Sequence, residues 1–190
     1  MMDTLVRDPF RDVMPSFFGM TLSEMLQLKQ PEAWGEFERG ELSEAQFLER
    51  FFADRRRFDH AAFCATIRGS YAWLEGMEPL LAELKARGHT MHVLSNYPVW
   101  YRWIEERLAL SRYVSWTFMS CRLGLRKPDP RIFERAAGEL GVAPSACLFI
   151  DDRPQNCDAA RAVGMRAIRF GGDPAALAEE LLPLLPVQQR

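Results

Sequence analysis

At 190 residues the chain fits one domain, or a core with a modest insertion, and its 48% hydrophobic content is ample for a packed interior. A net charge of −2 argues against nucleic-acid or anionic-membrane binding by bulk charge. The basic run Arg55-Arg56-Arg57 is short and reads as a solvated helix end or loop. The four cysteines, Cys64, Cys121, Cys147 and Cys157, are scattered, form no CxxC, and read as free thiols of a reducing cytosol. No apolar run is long enough to span a bilayer, and no basic-then-apolar signal segment opens the chain. A cytoplasmic protein acting without nucleic acid or membrane, as monomer or homodimer, is expected.

From about Arg11 to Ser70 the spacing predicts helices joined by loops, in LSEMLQLK, EAWGEFERG and LSEAQFLERFFADR. Ser43 and Gln46 have capping-box spacing just after Gly40. This block, together with Phe10 at its edge, holds nine of the 13 Phe, as a thin helical core would need. Alternatively some of these rings, or Trp34, line a pocket for a flat substrate. From residue 78 onward helices and strands alternate. EPLLAELKARG (78–88) predicts a helix with a basic last turn and a Gly stop. HTMHVLS (89–95) and SWTFMSC (115–121) predict strands. DPRIFERAAGELG (129–141) predicts a helix capped by Asp129, with Pro130 at its first position, Gly141 at its end, and Phe133, Ala136, Ala137 and Leu140 on one face. ACLFI (146–150) is apolar throughout, as a strand buried on both faces would be. QNCDAARAVG (155–164) predicts a helix and RAIRF (166–170) a strand. Strand–helix–strand alternation with short links implies a parallel sheet covered on both faces. The tail LLPLLPVQQR is broken by Pro183 and Pro186.

Three polar stretches follow apolar runs, where open parallel sheets gather ligands. Ser95-Asn96 offers a hydroxyl and amides to phosphoryl oxygens, although Ser-Asn is also an ordinary turn. Arg126-Lys127-Pro128-Asp129-Pro130 presents a lysine on a stiffened approach to a helix. It suits a phosphate or carboxylate, or is a surface lysine beside a cap. Asp151-Asp152 ends an apolar strand. Two carboxylates there are costly to bury without a partner, and a hard divalent cation such as Mg²⁺ resolves that cost. Otherwise Asp152 caps the next helix.

In this order, Ser/Asn, Lys-Pro and Asp-Asp resemble the haloacid dehalogenase (HAD) superfamily over essentially the whole chain. That resemblance implies an α/β fold: a Rossmann-like core with a parallel sheet over 1–10 and 71–190, and an inserted all-helical cap over 11–70. It implies Ser95 and Asn96 at the phosphoryl group, Lys127 balancing charge on nucleophile and phosphate, Asp152 binding Mg²⁺ with Asp151 in support, and Asn156 orienting the site. It further implies a phosphatase of a small phosphorylated metabolite. Within the superfamily, MDTLVRDPF, FFGM, FERG, RKPDP and FIDDRP are similar to plant chloroplast flavin mononucleotide hydrolases and bacterial relatives, a resemblance that implies a flavin phosphate as one substrate and is equally compatible with a general small-molecule phosphatase.

The first motif departs from the family. Aligning Thr4-Leu5 with the family's Thr-Leu puts the nucleophilic Asp one residue before Met1, Met2 at the acid/base position and Asp3 where Gly is usual. A second register makes Asp3 the acid/base residue and misplaces Thr4; a third makes Asp3 itself the nucleophile with almost no strand before it. The first core strand is truncated in every register. The expectation is a chain that continues upstream with apolar residues ending in Phe-Asp, Met1 then being a non-Met codon read as a start. The alternatives are a catalytically dead HAD-fold binding protein and a metal-independent haloacid dehalogenase, which would leave Asp151-Asp152 unexplained.

Overall fold

The structure, a computed structural model, describes residues 1–185. Five short helices occupy the first part: α1 (Val13–Phe17), α2 (Leu22–Leu28), α3 (Ala33–Glu38), α4 (Glu44–Glu49) and α5 (His60–Ser70). Then come α6 (Met77–Ala86), β1 (His92–Ser95), α7 (Tyr101–Leu108), β2 (Ser115–Met119), α8 (Ser120–Leu123), α9 (Pro130–Leu140), β3 (Leu148–Asp151), α10 (Pro154–Ala162), β4 (Arg166–Arg169) and α11 (Pro174–Leu181). None of these helices is long and apolar enough to cross a membrane.

Local chemistry explains the boundaries. Ser43 Oγ accepts from Gln46 N–H while Gln46 Oε1 accepts from Ser43 N–H, the capping box read in the sequence; Thr21 and Glu24 make the same box on α2. Asp129 caps α9, Pro130 opens it, and Gly141 ends it at φ +67°. The buried face of α9 is Ile132, Phe133, Ala136 and Ala137, one step from the predicted face, with Leu140 half-buried. The strands are shorter than predicted. Residues 89–91 lie before β1, and 120–121 turn into α8, where Ser120 Oγ reaches the Glu38 carbonyl. Pro183 sits in a single 3₁₀ turn, Leu182–Leu184, and the predicted Pro186 break lies outside the described residues.

The expected single parallel sheet is, among the described residues, two parallel pairs: β1 with β2 and β3 with β4. Between the pairs lies an apolar cavity of about 610 Å³, lined by 92–94 of β1, 148–150 of β3, and Leu80, Leu84 and Leu177 from α6 and α11. Among the described residues no strand enters this slot. Residues 1–6 instead form a tight turn at its mouth. The Met1 carbonyl accepts from Leu5 and Val6 N–H at 2.8 and 3.1 Å, and Asp3 takes φ +51°, a conformation Asp tolerates better than most residues. Residues 5–7 then run against 72–74, with Leu74 N–H donating to Leu5 O and Arg7 N–H to Ala72 O.

The helical segment packs on aromatic rings. Phe18 touches Phe17, Phe51, Phe52, Phe58 and Phe63, and Phe37 stacks on Phe47 at 4.6 Å. The segment is joined to the rest through Trp100, whose indole N–H donates to Glu44 Oε2 at 2.6 Å, and through Gly40, which lies against the Cys121 carbonyl.

Candidate active site

The C-terminal ends of β1 and β3 bring the three predicted stretches together. Ser95 and Asp151 are the last residues of their strands, and both are buried. Asn96 and Lys127 clasp each other: Asn96 Nδ2 donates to the Lys127 carbonyl at 2.8 Å, and Lys127 N–H donates to Asn96 Oδ1 at 2.7 Å. This clasp fixes the start of the Lys-Pro turn. Lys127 Nζ donates to the Leu94 carbonyl at 2.7 Å and to Asp151 Oδ2 at 2.5 Å. A backbone carbonyl and a carboxylate thus take two of the three N–H donors of the buried ammonium.

Asp151 is fully engaged. Its second oxygen accepts from Asn156 Nδ2 at 2.7 Å and Arg153 N–H at 3.0 Å. Burial alone would raise its pKa, but the charges of Lys127 and of the terminal amine, with the hydrogen bonds from Lys127 and the Arg153 N–H, outweigh burial and hold the carboxyl below its ordinary range. Asn156 therefore orients Asp151. Asp152 is only half-buried, and among the described residues its one side-chain partner is Thr4 Oγ1, at 3.3 Å. Thr4 is itself buried, and the turn of residues 1–6 carries it to this place. Asp3 lies at the same site but points toward Arg11, with Oδ2 3.7 Å from its Nε.

Asp3, Ser95, Asn96, Lys127, Asp151, Asp152 and Asn156 line one cavity of about 190 Å³. Met1 and Met2, Asp8, Phe10, Trp34, Glu38, Tyr97, Arg126 and Arg153 complete its wall. The Met1 amine is buried beside Lys127, Asp151 and Asp152; burial first, and then the lysine charge, bring its pKa down to about 5. Glu38, on α3, is buried, with Oε1 accepting from Trp34 Nε1–H at 2.8 Å and Oε2 2.5 Å from Arg126. Burial holds its pKa above the ordinary carboxylate value despite Arg126 and Trp34. Sequence reasoning weighed Trp34 and the Phe rings, Phe10 among them, as pocket walls but missed Asp8, Glu38 and Arg153. Asp8 sits in an irregular link with no periodic signal. Glu38 looks like any charged residue at a helix end until Ser120 and Arg126 are seen to receive it.

Among the described residues no three His, Cys, Asp or Glu side chains converge as a ready metal cage. The donor set still fits Mg²⁺, which takes one or two carboxylates and completes its shell with substrate oxygens and water. Asp152, which lines the cavity, would be the residue to hold it, since Asp151 is occupied in supporting Lys127.

The family description haloacid dehalogenase-like hydrolase matches residues 14–164. The chain is 46% identical over 169 residues to flavin mononucleotide hydrolase 1 of the Arabidopsis thaliana chloroplast, covering 89% of this chain and 69% of that protein. It is 34% identical over 125 residues to a phosphoserine phosphatase of Thermus thermophilus, covering 65% of this chain and 45% of that one. In three dimensions it is similar to a HAD family enzyme of Bacteroides thetaiotaomicron solved with magnesium and inorganic phosphate, at a TM-score of 0.76 and 20% identity over 92% and 94% of the two chains. It is also similar to a dehalogenase, at a TM-score of 0.68 and 20% identity over 99% and 95%. The structural likenesses bear on the fold alone, since phosphate-bound and dehalogenase proteins share it. Family match, plant relative and strand-end site agree: the chain belongs to the haloacid dehalogenase-like hydrolases.

Proposed function

We propose that this protein is a Mg²⁺-dependent phosphatase of a small phosphomonoester, with flavin mononucleotide as the leading substrate, acting through an aspartyl-phosphate. The observation that carries the reading is the buried Lys127–Asp151 pair, set beside the outward-facing Asp152 at the ends of two parallel strands. A fixed cation next to a metal-binding carboxylate is what a transferring phosphoryl group needs, because positioning and charge stabilisation supply most of that catalysis. Lys127 and the Ser95–Asn96 strand end would hold phosphoryl oxygens. Mg²⁺, when bound at Asp152, would neutralise phosphate charge.

The nucleophile in this reading is a carboxylate delivered by a strand lying in the slot between β1 and β3. Support comes from the slot's apolar walls and from Lys127, Asp151 and Asp152, gathered at the ends of the strands that flank it. The helical residues 11–70 serve as the cap. Phe10 and Trp34, whose ring centroids lie 6.3 Å apart, give the cavity an aromatic wall suited to a flavin, and 46% identity to a flavin mononucleotide hydrolase favours the same substrate.

The test compares the 190-residue chain with a form carrying a short apolar strand ending in Asp ahead of Met1. Each is assayed on flavin mononucleotide and on p-nitrophenyl phosphate, with and without Mg²⁺. Phosphate release by the extended form that requires Mg²⁺ is the expected result. Metal-independent halide release from a haloacid would favour a dehalogenase. Inactivity of both forms with retained phosphate-ester binding would favour a binding protein.

A further inference from the structure

A phosphomonoester of an alcohol has a poor leaving group, so the leaving oxygen must gain a proton as its bond to phosphorus breaks. By the sequence resemblance that proton comes from the residue at Met2, which has none to give. Five carboxylates line the cavity: Asp3, Asp8, Glu38, Asp151 and Asp152. Asp151 is held ionised, with both oxygens engaged. Asp152 is the metal's carboxylate in the reading above. Both oxygens of Glu38 are taken up by Trp34 and Arg126. Asp3 turns toward Arg11, and its Oδ1 faces the Asp8 N–H at 3.4 Å.

We propose that Asp8 is the general acid that protonates the leaving oxygen. This rests on the phosphatase reading. Asp8 Oδ1 accepts the Phe10 N–H at 3.0 Å, which fixes the carboxyl, and among the described residues Oδ2 has no partner. The backbone is pinned one residue earlier by Arg7 N–H to Ala72 O, at 3.0 Å. Burial raises the Asp8 pKa; the Phe10 N–H lowers it, the negative Asp3 raises it again, and Arg11 and Arg153 lower it, with a net rise. Tyr71 and Tyr97, hydrogen-bonded to each other at 2.8 Å, also sense Asp8; burial is the main cause that keeps both phenols neutral. The group thus keeps a proton to a higher pH than an ordinary Asp. In the forward step the Asp8 carboxyl proton passes to the ester oxygen as the P–O bond breaks and the alcohol leaves. In the second step the Asp8 carboxylate takes a proton from the water that attacks the acyl phosphate, which restores the acid.

The experiment uses the form of the protein that turns over, with Asp8→Asn and Asp8→Glu, on two substrates. Flavin mononucleotide has an alkyl leaving group that needs a proton; p-nitrophenyl phosphate releases an acidic phenol that does not. Asp8→Asn is expected to lower kcat/KM, which reports only the step in which the ester oxygen leaves, by about 10²–10⁴-fold for flavin mononucleotide and by less than about tenfold for p-nitrophenyl phosphate. It should also remove the fall in wild-type kcat/KM for flavin mononucleotide as pH rises through the Asp8 pKa, and Asp8→Glu should restore part of the alkyl-ester rate. Equal losses on both substrates, or no loss on either, would overturn the role of Asp8. Failure of the wild-type protein to hydrolyse either ester would instead overturn the phosphatase reading, and this assignment with it.

Discussion

Lys127 Nζ lies 2.5 Å from Asp151 Oδ2, with side chains only 4% and 2% exposed. Such a pair is costly to bury and is retained only where each charge is compensated. Removing one partner strands the other, so Lys127→Met is expected to destabilise the fold by about 3–5 kcal/mol. The double variant Lys127→Met with Asp151→Leu should recover much of that loss, because no isolated charge remains. Urea unfolding of the three proteins checks this. A single variant as stable as the parent would mean that water reaches the pair.

Asp152 should behave in the opposite way. It is half-buried, and its one described side-chain bond, from Thr4, is a long 3.3 Å. Asp152→Asn is therefore expected to change stability by no more than about 0.5 kcal/mol. It should nevertheless abolish the Mg²⁺-dependent part of phosphate release. Melting temperature and a Mg²⁺ titration of turnover, measured on the same preparation, separate the two effects. Undiminished turnover would remove Asp152 from the metal role.

The contrast between these adjacent residues shows how far the sequence carried. Paired carboxylates after the apolar run 146–150 were legible as a site because burial of charge needs a partner. Which of the two meets the lysine depends on strand pleat and on Asn156 and Arg153 N–H, and only coordinates give that. Helix caps at Ser43, Asp129 and Gly141 were legible because the capping groups are local. Division of the sheet into two pairs was not, since local spacing marks strands but not their neighbours. Asp8 and Glu38 were invisible for the same reason: their burial is made by contacts with residues 71–74, 120 and 126, far away in sequence.

Glu38 gives a pH prediction. Burial raises its pKa above the ordinary 4.5, and Arg126 and Trp34 only partly reverse this. The native state therefore holds the proton more tightly than the unfolded chain does. That contribution to stability is fully present below pH 4.5 and is lost as pH rises from there through the raised native value. Glu38→Gln does not titrate, and its amide oxygen can still accept from Trp34. The melting temperature of the variant should gain on that of the parent between pH 4 and pH 7, a window set by the ordinary pKa of 4.5 and its rise. A gap that moves the other way would mean that the Arg126 charge dominates the site.

Gly40 offers a test of how the helical segment is joined to the core. It takes φ +74°, and a methyl group there would collide with the Cys121 carbonyl, which is backbone and cannot swing aside. The left-handed conformation alone costs a non-glycine residue about 1–2 kcal/mol, and the collision adds to it. Gly138, inside α9 with open space around it, is the natural control; Gly138→Ala should stabilise by about 0.5–1 kcal/mol through helix propensity. Denaturant unfolding of the two variants should therefore shift in opposite directions. Gly40→Ala moves α3, which carries Trp34 and Glu38, relative to α8, so its rate of hydrolysis should fall as well. Loss of stability without loss of rate would show that the Glu38–Arg126 contact survives the displacement, and that this junction serves only to hold the segments together.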